Sequence, residues 1–209
     1  SAFSILPGRG LKLPMNRTIY FIIGAVILLG AGASWVIQKA NSSYDIPILK
    51  PVPVFSFINQ DGDPFTEKDL NDKITILDFI FTSCPGPCPI MTQNMTGLYQ
   101  DFDQVEEVQF VSITVDPDVD TQEILKQYAK INGVKDDRWQ FITSSIEAIK
   151  DLKKNGFMLY AEELPRGHAI KFVLIDQNGQ IRKYFDGTEE ASMAVLRKDI
   201  TNLVKEFKS

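Results

Sequence analysis

Residues 74–95 read ITILDFIFTSCPGPCPIMTQNM, and this stretch decides how the rest of the chain is read. Ile74 to Phe81 is apolar, rich in β-branched and aromatic side chains and too short for a typical helix, so it is expected as a buried strand. Pro89 suits the first turn of a helix, and Ile90, Met91, Asn94, Met95 and Leu98 carry the helical period onward. The only two cysteines, Cys84 and Cys88, therefore fall on a strand-to-helix loop. A helix N-terminus presents unpaired N–H groups and the positive end of a dipole, which lowers the pKa of a nearby thiol and favours thiolate. A C-x-x-x-C pair wound as helix puts its sulfurs one turn apart on one face, which suits chelation of one ion and also a disulfide. A structural bridge is the weaker explanation, because a disulfide closing so short a loop constrains the unfolded chain little.

Working outward, strands and helices alternate. Phe55 to Ile58 and Phe65-Thr66 read as a small hairpin, and the cysteine helix runs to about Phe102 by its period. Val108 to Val115 reads as a second buried strand, Thr121 to Ile131 as a helix, Trp139 to Ile142 as a short strand and Ser145 to Lys154 as a helix. Lys171 to Ile175 and Ile181 to Phe185 form a hairpin, and Ala191 to Phe207 a closing amphipathic helix. This order predicts an α/β, thioredoxin-like domain over residues 54–209. In such folds the loop after a strand's carboxyl end carries the chemistry.

Toward the amino end, residues 1–18 read as a cytoplasmic leader, of which 1–14 also read as an extension ahead of a natural start at Met15. No charged residue occurs from Ile19 to Ile37, close to the ~20 residues that cross a bilayer as a helix, so residues 19–38 are expected to be a single transmembrane helix. Arg9, Lys12 and Arg17 precede it and Lys39 follows it, placing the amino end in the cytoplasm and the domain on the periplasmic or extracytoplasmic side of the inner membrane. A cleaved signal peptide and a mitochondrial inner-membrane anchor are the alternatives. Residues 39–53 read as a linker. The chain has 22 basic and 27 acidic residues, with every acid at or beyond Asp45. From Asp45 onward, 18 basic face 27 acidic residues, an acidic balance that argues against nucleic acid as a partner.

FTSCPGPCP, from Phe81 to Pro89, resembles the F-T-x-C-P-x-x-C-P signature of the Sco (SenC) family, membrane-anchored copper proteins that assist assembly of the copper A site of cytochrome c oxidase. VDPDVDT, from Val115 to Thr121, is similar to that family's V-D-P-x-x-D-T segment, and His168, the only histidine, stands where the family has a ligand. The chain departs from common members at Gly86 and in Arg166-Gly167-His168-Ala169. The resemblance implies one copper ion, as Cu(I), Cu(II) or both, held by Cys84, Cys88 and His168. It also implies that the His168 loop packs beside the cysteine loop. Thiolates select Cu(I) and an imidazole admits Cu(II), whereas structural zinc normally takes four protein ligands and the chain has no further Cys or His.

Asp78, six residues before Cys84, stands at the offset where thioredoxins place a buried aspartate that takes a proton during disulfide exchange; an aspartate bonded to a backbone group is the plainer explanation. Asp120, with Glu123 three residues on, reads first as a helix cap, and second, with Asp116, as a contact to the copper loop or a partner. Met91 and Met95 read as core rather than ligands. The expected function is a metallochaperone rather than an enzyme, acting on the copper A domain of oxidase subunit II and loaded by a further copper chaperone. The competing expectation is a membrane-anchored thiol-disulfide oxidoreductase that keeps acceptor cysteines reduced through Cys84, Cys88 and Asp78. A metal-free peroxide-reducing or redox-sensing relative is a third.

Overall fold

The computed structural model describes residues 17–42, 46–162, 164–165 and 170–208, with side chains of the first helix described from Ile19 to Trp35. That helix, α1, spans Arg17–Ser42, and Phe21, Leu28, Leu29 and Trp35 on it are exposed. Among the described residues, no helix is long and apolar enough to cross a membrane.

Residues 46–209 form a separate compact unit. Its strands are β1 (Lys50–Pro51), β2 (Ser56–Asn59), β3 (Pro64–Thr66), β4 (Ile74–Ile80), β5 (Val108–Thr114), β6 (Trp139–Thr143), β7 (Lys171–Ile175) and β8 (Gln180–Asp186). The helices are α2 (Cys88–Asp101), α3 (Gln122–Ile131), α4 (Ile146–Asp151) and α5 (Glu190–Phe207). One sheet holds the strands in the order β1-β8-β7-β4-β5-β6-β2-β3. β4 is parallel to β5 and β5 to β6, the connections running through α2 and α3, while the other pairings are antiparallel. β4 and β5 are buried along their whole length, as apolar strands inside a two-sided sheet must be.

Side-chain alternation along β4 divides the core in two. Ile74, Ile76 and Ile80 pack with Met91, Met95 and Leu98 of α2, Leu125 of α3, and Leu196 and Ile200 of α5. Leu77, Phe79 and Phe81 face the other way, against Phe57, Phe65, Ile149 and Leu152. Met91 and Met95 are fully buried in the first layer, the core role expected of them.

Two stretches differ from the sequence reading. Within the expected spacer before residue 54, Ile46 is buried and β1 pairs Lys50 with Ile181, because the sheet edge offered by β8 can take a further strand. The helix expected to reach Lys154 is α-helical only to Asp151 and continues as a π-turn over Leu152–Gly156. Gly156 closes that turn where a Cβ would stand 2.7 Å from Cγ of Pro53, so only glycine lets the turn approach the proline ring.

Candidate metal and thiol site

The site forms where β4 ends. Cys84 follows the strand on a tight loop, its N–H donating to the Phe81 carbonyl (3.3 Å) and its Sγ accepting from the Gly86 N–H (3.4 Å). Cys88 is the first residue of α2, with Pro89 in the first turn as expected and no side chain capping the helix. The cysteines do not share one helical face, since Cys84 precedes the helix. Both are thiols; Cys84 is half-buried, and Cys88 is 1% exposed and lies within hydrogen-bonding reach of Cys84.

The helix N-terminus was expected to favour thiolate, and at Cys88 burial overrides it. Desolvation pushes this thiol up to about 12, with the neighbouring Cys84 and Asp78 adding to the rise and the Phe81 backbone opposing it. A dipole contribution of about 0.3–1 kcal/mol is small beside the cost of removing a charge from water.

The cysteine loop is fastened to the segment Val115–Thr121 through Asp120, which is fully buried. Asp120 accepts from the Thr82 N–H (3.1 Å), the Thr82 hydroxyl (2.5 Å) and the Thr114 hydroxyl (2.6 Å). It does not cap α3. Thr121 does, its hydroxyl accepting from the Ile124 N–H at 3.4 Å. The capping expectation is thus corrected by one residue, because carboxylate burial against three donors outweighs one exposed cap bond. Asp116 contributes its backbone carbonyl, which accepts from the N–H groups of Val119 and Asp120 and closes the turn.

Asp78 points into the α2 side of the sheet, 1% exposed, opposite Ser112 in the β4–β5 register. Among the described residues, neither carboxylate oxygen has a partner within hydrogen-bonding geometry, although the Ser112 hydroxyl and the Asp78 backbone lie near enough to favour the carboxylate. Burial raises its pKa to about 7, against weaker opposing pulls from the Ser112 hydroxyl and Lys153. Lys153, in the π-turn, is fully buried with its Nζ 4.7 Å from the centre of the Phe79 ring. No sequence argument singled it out. A signal was present, since Ile149, Leu152, Lys153 and Gly156 fall on one helical stripe and put a lysine at a core position.

His168 lies outside the described residues, and among those described no three metal-ligating side chains gather. Its flanks are described. Leu164 packs against the cluster that contains Cys88 and that Cys84 also touches. The Ile170 carbonyl accepts from the Gly187 N–H (3.1 Å), and the Gly187 carbonyl accepts from Nδ2 of Asn94 in α2 (2.8 Å). A Cβ on Gly187 would stand 3.0 Å from Met91, one turn into the cysteine helix.

A family model described as SCO1/SenC matches residues 50–205. The SCO1 protein homolog of Bacillus subtilis is 30% identical over 161 residues, covering 74% of this chain and 83% of that protein. BsSco, a member of the Sco family of cytochrome c oxidase assembly proteins in which a disulfide switch was identified, aligns with a TM-score of 0.68 at 28% identity, covering 77% of this chain and 98% of that one. Arabidopsis thaliana ScoI with copper bound aligns with a TM-score of 0.61 at 27% identity, covering 72% and 98%.

Proposed function

We propose that this chain, which belongs to the SCO1/SenC family, carries one copper ion between Cys84, Cys88 and His168 and hands it to the copper A site in subunit II of cytochrome c oxidase. The observation that carries the reading is the tethering of both flanks of His168 to the cysteine end of the domain. From Ile170, held beside Gly187 and Met91, two residues at roughly 3.3–3.6 Å each bring the chain to His168. The donor set fits the cargo. Two sulfurs select Cu(I), an imidazole extends the site to Cu(II), and three protein ligands leave one side for exchange. Copper is bound in Arabidopsis ScoI, a relative of the same fold.

The two thiols divide the work. Cys84, half-buried, is the sulfur that incoming copper and the acceptor's thiols can reach. Cys88 keeps its proton until a cation displaces it, so the unloaded site holds little negative charge in an apolar setting. A further copper chaperone is the expected donor. For the amino end we infer a single-pass anchor through residues 19–38, supported by the uncharged run Ile19 to Ile37 and by the exposed apolar side chains of α1. The basic residues ahead of that run put the domain on the extracytoplasmic side.

One observation favours a second reading, a thiol-disulfide oxidoreductase. Asp78 is buried, without a hydrogen-bond partner among the described residues, and raised to about 7, where a carboxylate can take the Cys88 proton. Copper titration and disulfide-reductase assays of His168→Ala separate the two. The carrier reading expects Cu(I) affinity to fall at least tenfold, and retention of wild-type affinity overturns it. A reductase keeps its turnover in the same variant.

A further inference from the structure

Lysine is almost never fully buried without a partner, because the ammonium loses its hydration and gains nothing in exchange. Lys153 breaks that rule inside the domain core. It is fully buried, and among the described residues its Nζ has no hydrogen-bond partner. Its nearest compensation is the face of the Phe79 ring, at 4.7 Å. A cation on an aromatic face recovers only about 0.5–2 kcal/mol, less than the several kcal/mol that burying the charge costs. The π-turn of residues 152–156 is locked at its far end by the Leu159 N–H donating to the Lys153 carbonyl (3.0 Å) and by the Phe157 N–H donating to Leu152 (2.9 Å). Such turns inside helices recur at functional sites.

The surroundings indicate what the ammonium is kept for. Phe79, Phe81, Leu152, Phe157 and Cys88 belong to one packed cluster, with Cys84 against it. Burial pulls the Lys153 ammonium down to about 7, and the acidic groups whose charges hold it up against that pull are Cys88 and Asp78. Two thiolates holding Cu(I) would leave the site with one net negative charge, part of it on the Cys88 sulfur, which is buried from solvent. A disulfide or a pair of thiols carries none.

We propose that Lys153 is a charge-compensating residue of the cysteine pair: its buried ammonium is matched by the net negative charge that Cys84 and Cys88 carry when they bind copper as thiolates. The inference rests on the copper-carrier reading and deepens it. Burying the lysine costs stability in the metal-free protein, and copper bound by thiolates offsets that cost. This gives opposite signs to two measurements that a structural lysine would move together.

The test uses Lys153→Met, close in length and apolar, and beside it Lys153→Gln, which keeps polarity without charge, so that misfolding of one variant does not decide the outcome. Urea unfolding of the metal-free proteins and competition of each with a chromophoric Cu(I) chelator are measured together. The expected result is a higher unfolding midpoint for metal-free Lys153→Met, and a Cu(I) affinity lowered about tenfold or more in both variants. Unchanged Cu(I) affinity in folded variants overturns the inference alone. Parallel loss of stability and affinity also overturns it, by making Lys153 a structural residue. Failure of the wild-type protein to bind Cu(I) overturns the carrier reading and this inference with it.

Discussion

A buried acid and a buried base stand at each end of β4, and the two ends are built on opposite terms. At its amino end, where β7 runs out antiparallel beside it, Asp176 meets Nη1 of Arg182 at 2.8 Å with both side chains almost fully buried. The rest of each group is satisfied. Asp176 accepts from the N–H groups of Asn178 and Gln180, and Arg182 donates to the Ile46 carbonyl. At the carboxyl end, Asp78 and Lys153 are as deeply buried, yet neither has a hydrogen-bond partner among the described residues. The first pair ties the start of the domain to the β7–β8 hairpin. The second leaves both groups unmet near Cys88, with which each interacts electrostatically, and perturbed groups of this kind cluster at functional sites.

If the contrast is sound, disrupting the satisfied pair should be the most damaging change. Arg182→Ala leaves a buried carboxylate without its cation and should cost about 3–5 kcal/mol, read as a lower urea midpoint. Loss of less than about 1 kcal/mol, the scale of an exposed ion pair, would erase the distinction between the two ends.

Asp78→Asn should act in the opposite direction, and its effect should depend on pH. The folded-state pKa of Asp78, about 7, lies above the ordinary 3.8, so the folded protein holds this proton more tightly than the unfolded chain. Its contribution to stability is therefore greatest below the ordinary value and is lost as pH rises through about 7. The variant should match wild type in thermal unfolding at acid pH and exceed it above neutrality, by roughly 2–4 kcal/mol at most for a shift of this size. A pH-independent difference would show that Asp78 is not an unmet acid.

Thr82→Val sharpens the comparison from the side of Asp120, a third buried acid that sits at the cysteine end and is nonetheless fully met. Removing one hydroxyl from its three donors should cost about 1–3 kcal/mol. It should also loosen the cysteine loop, seen as faster alkylation of Cys84 in the metal-free protein. Unaltered alkylation would mean that the latch does not set the loop.

Much of the fold was legible in residue order. Ile74 to Phe81 announced a buried strand by composition, and Pro89 followed by Met91, Met95 and Leu98 announced the helix; both elements stand within a residue or two of expectation. Local signals misled where burial competes with them. The dipole argument for Cys88 and the capping argument for Asp120 each assumed a solvated terminus, and both groups are buried. Lys153 falls on the apolar stripe of Ile149, Leu152 and Gly156, but a lysine in a helical pattern ordinarily reads as solvent-facing.

By itself, then, the amino-acid order specified the alternation of elements, the place of both sulfurs at the end of the central strand and the family signature, because periodicity and turn chemistry act over a few residues. Only the folded chain decided which acids are met and which are not. That outcome depends on Thr82 reaching Asp120 across 38 positions and on Lys153 meeting Phe79 from a distant turn. Desolvation is a property of everything packed around a group, so no local pattern can report it.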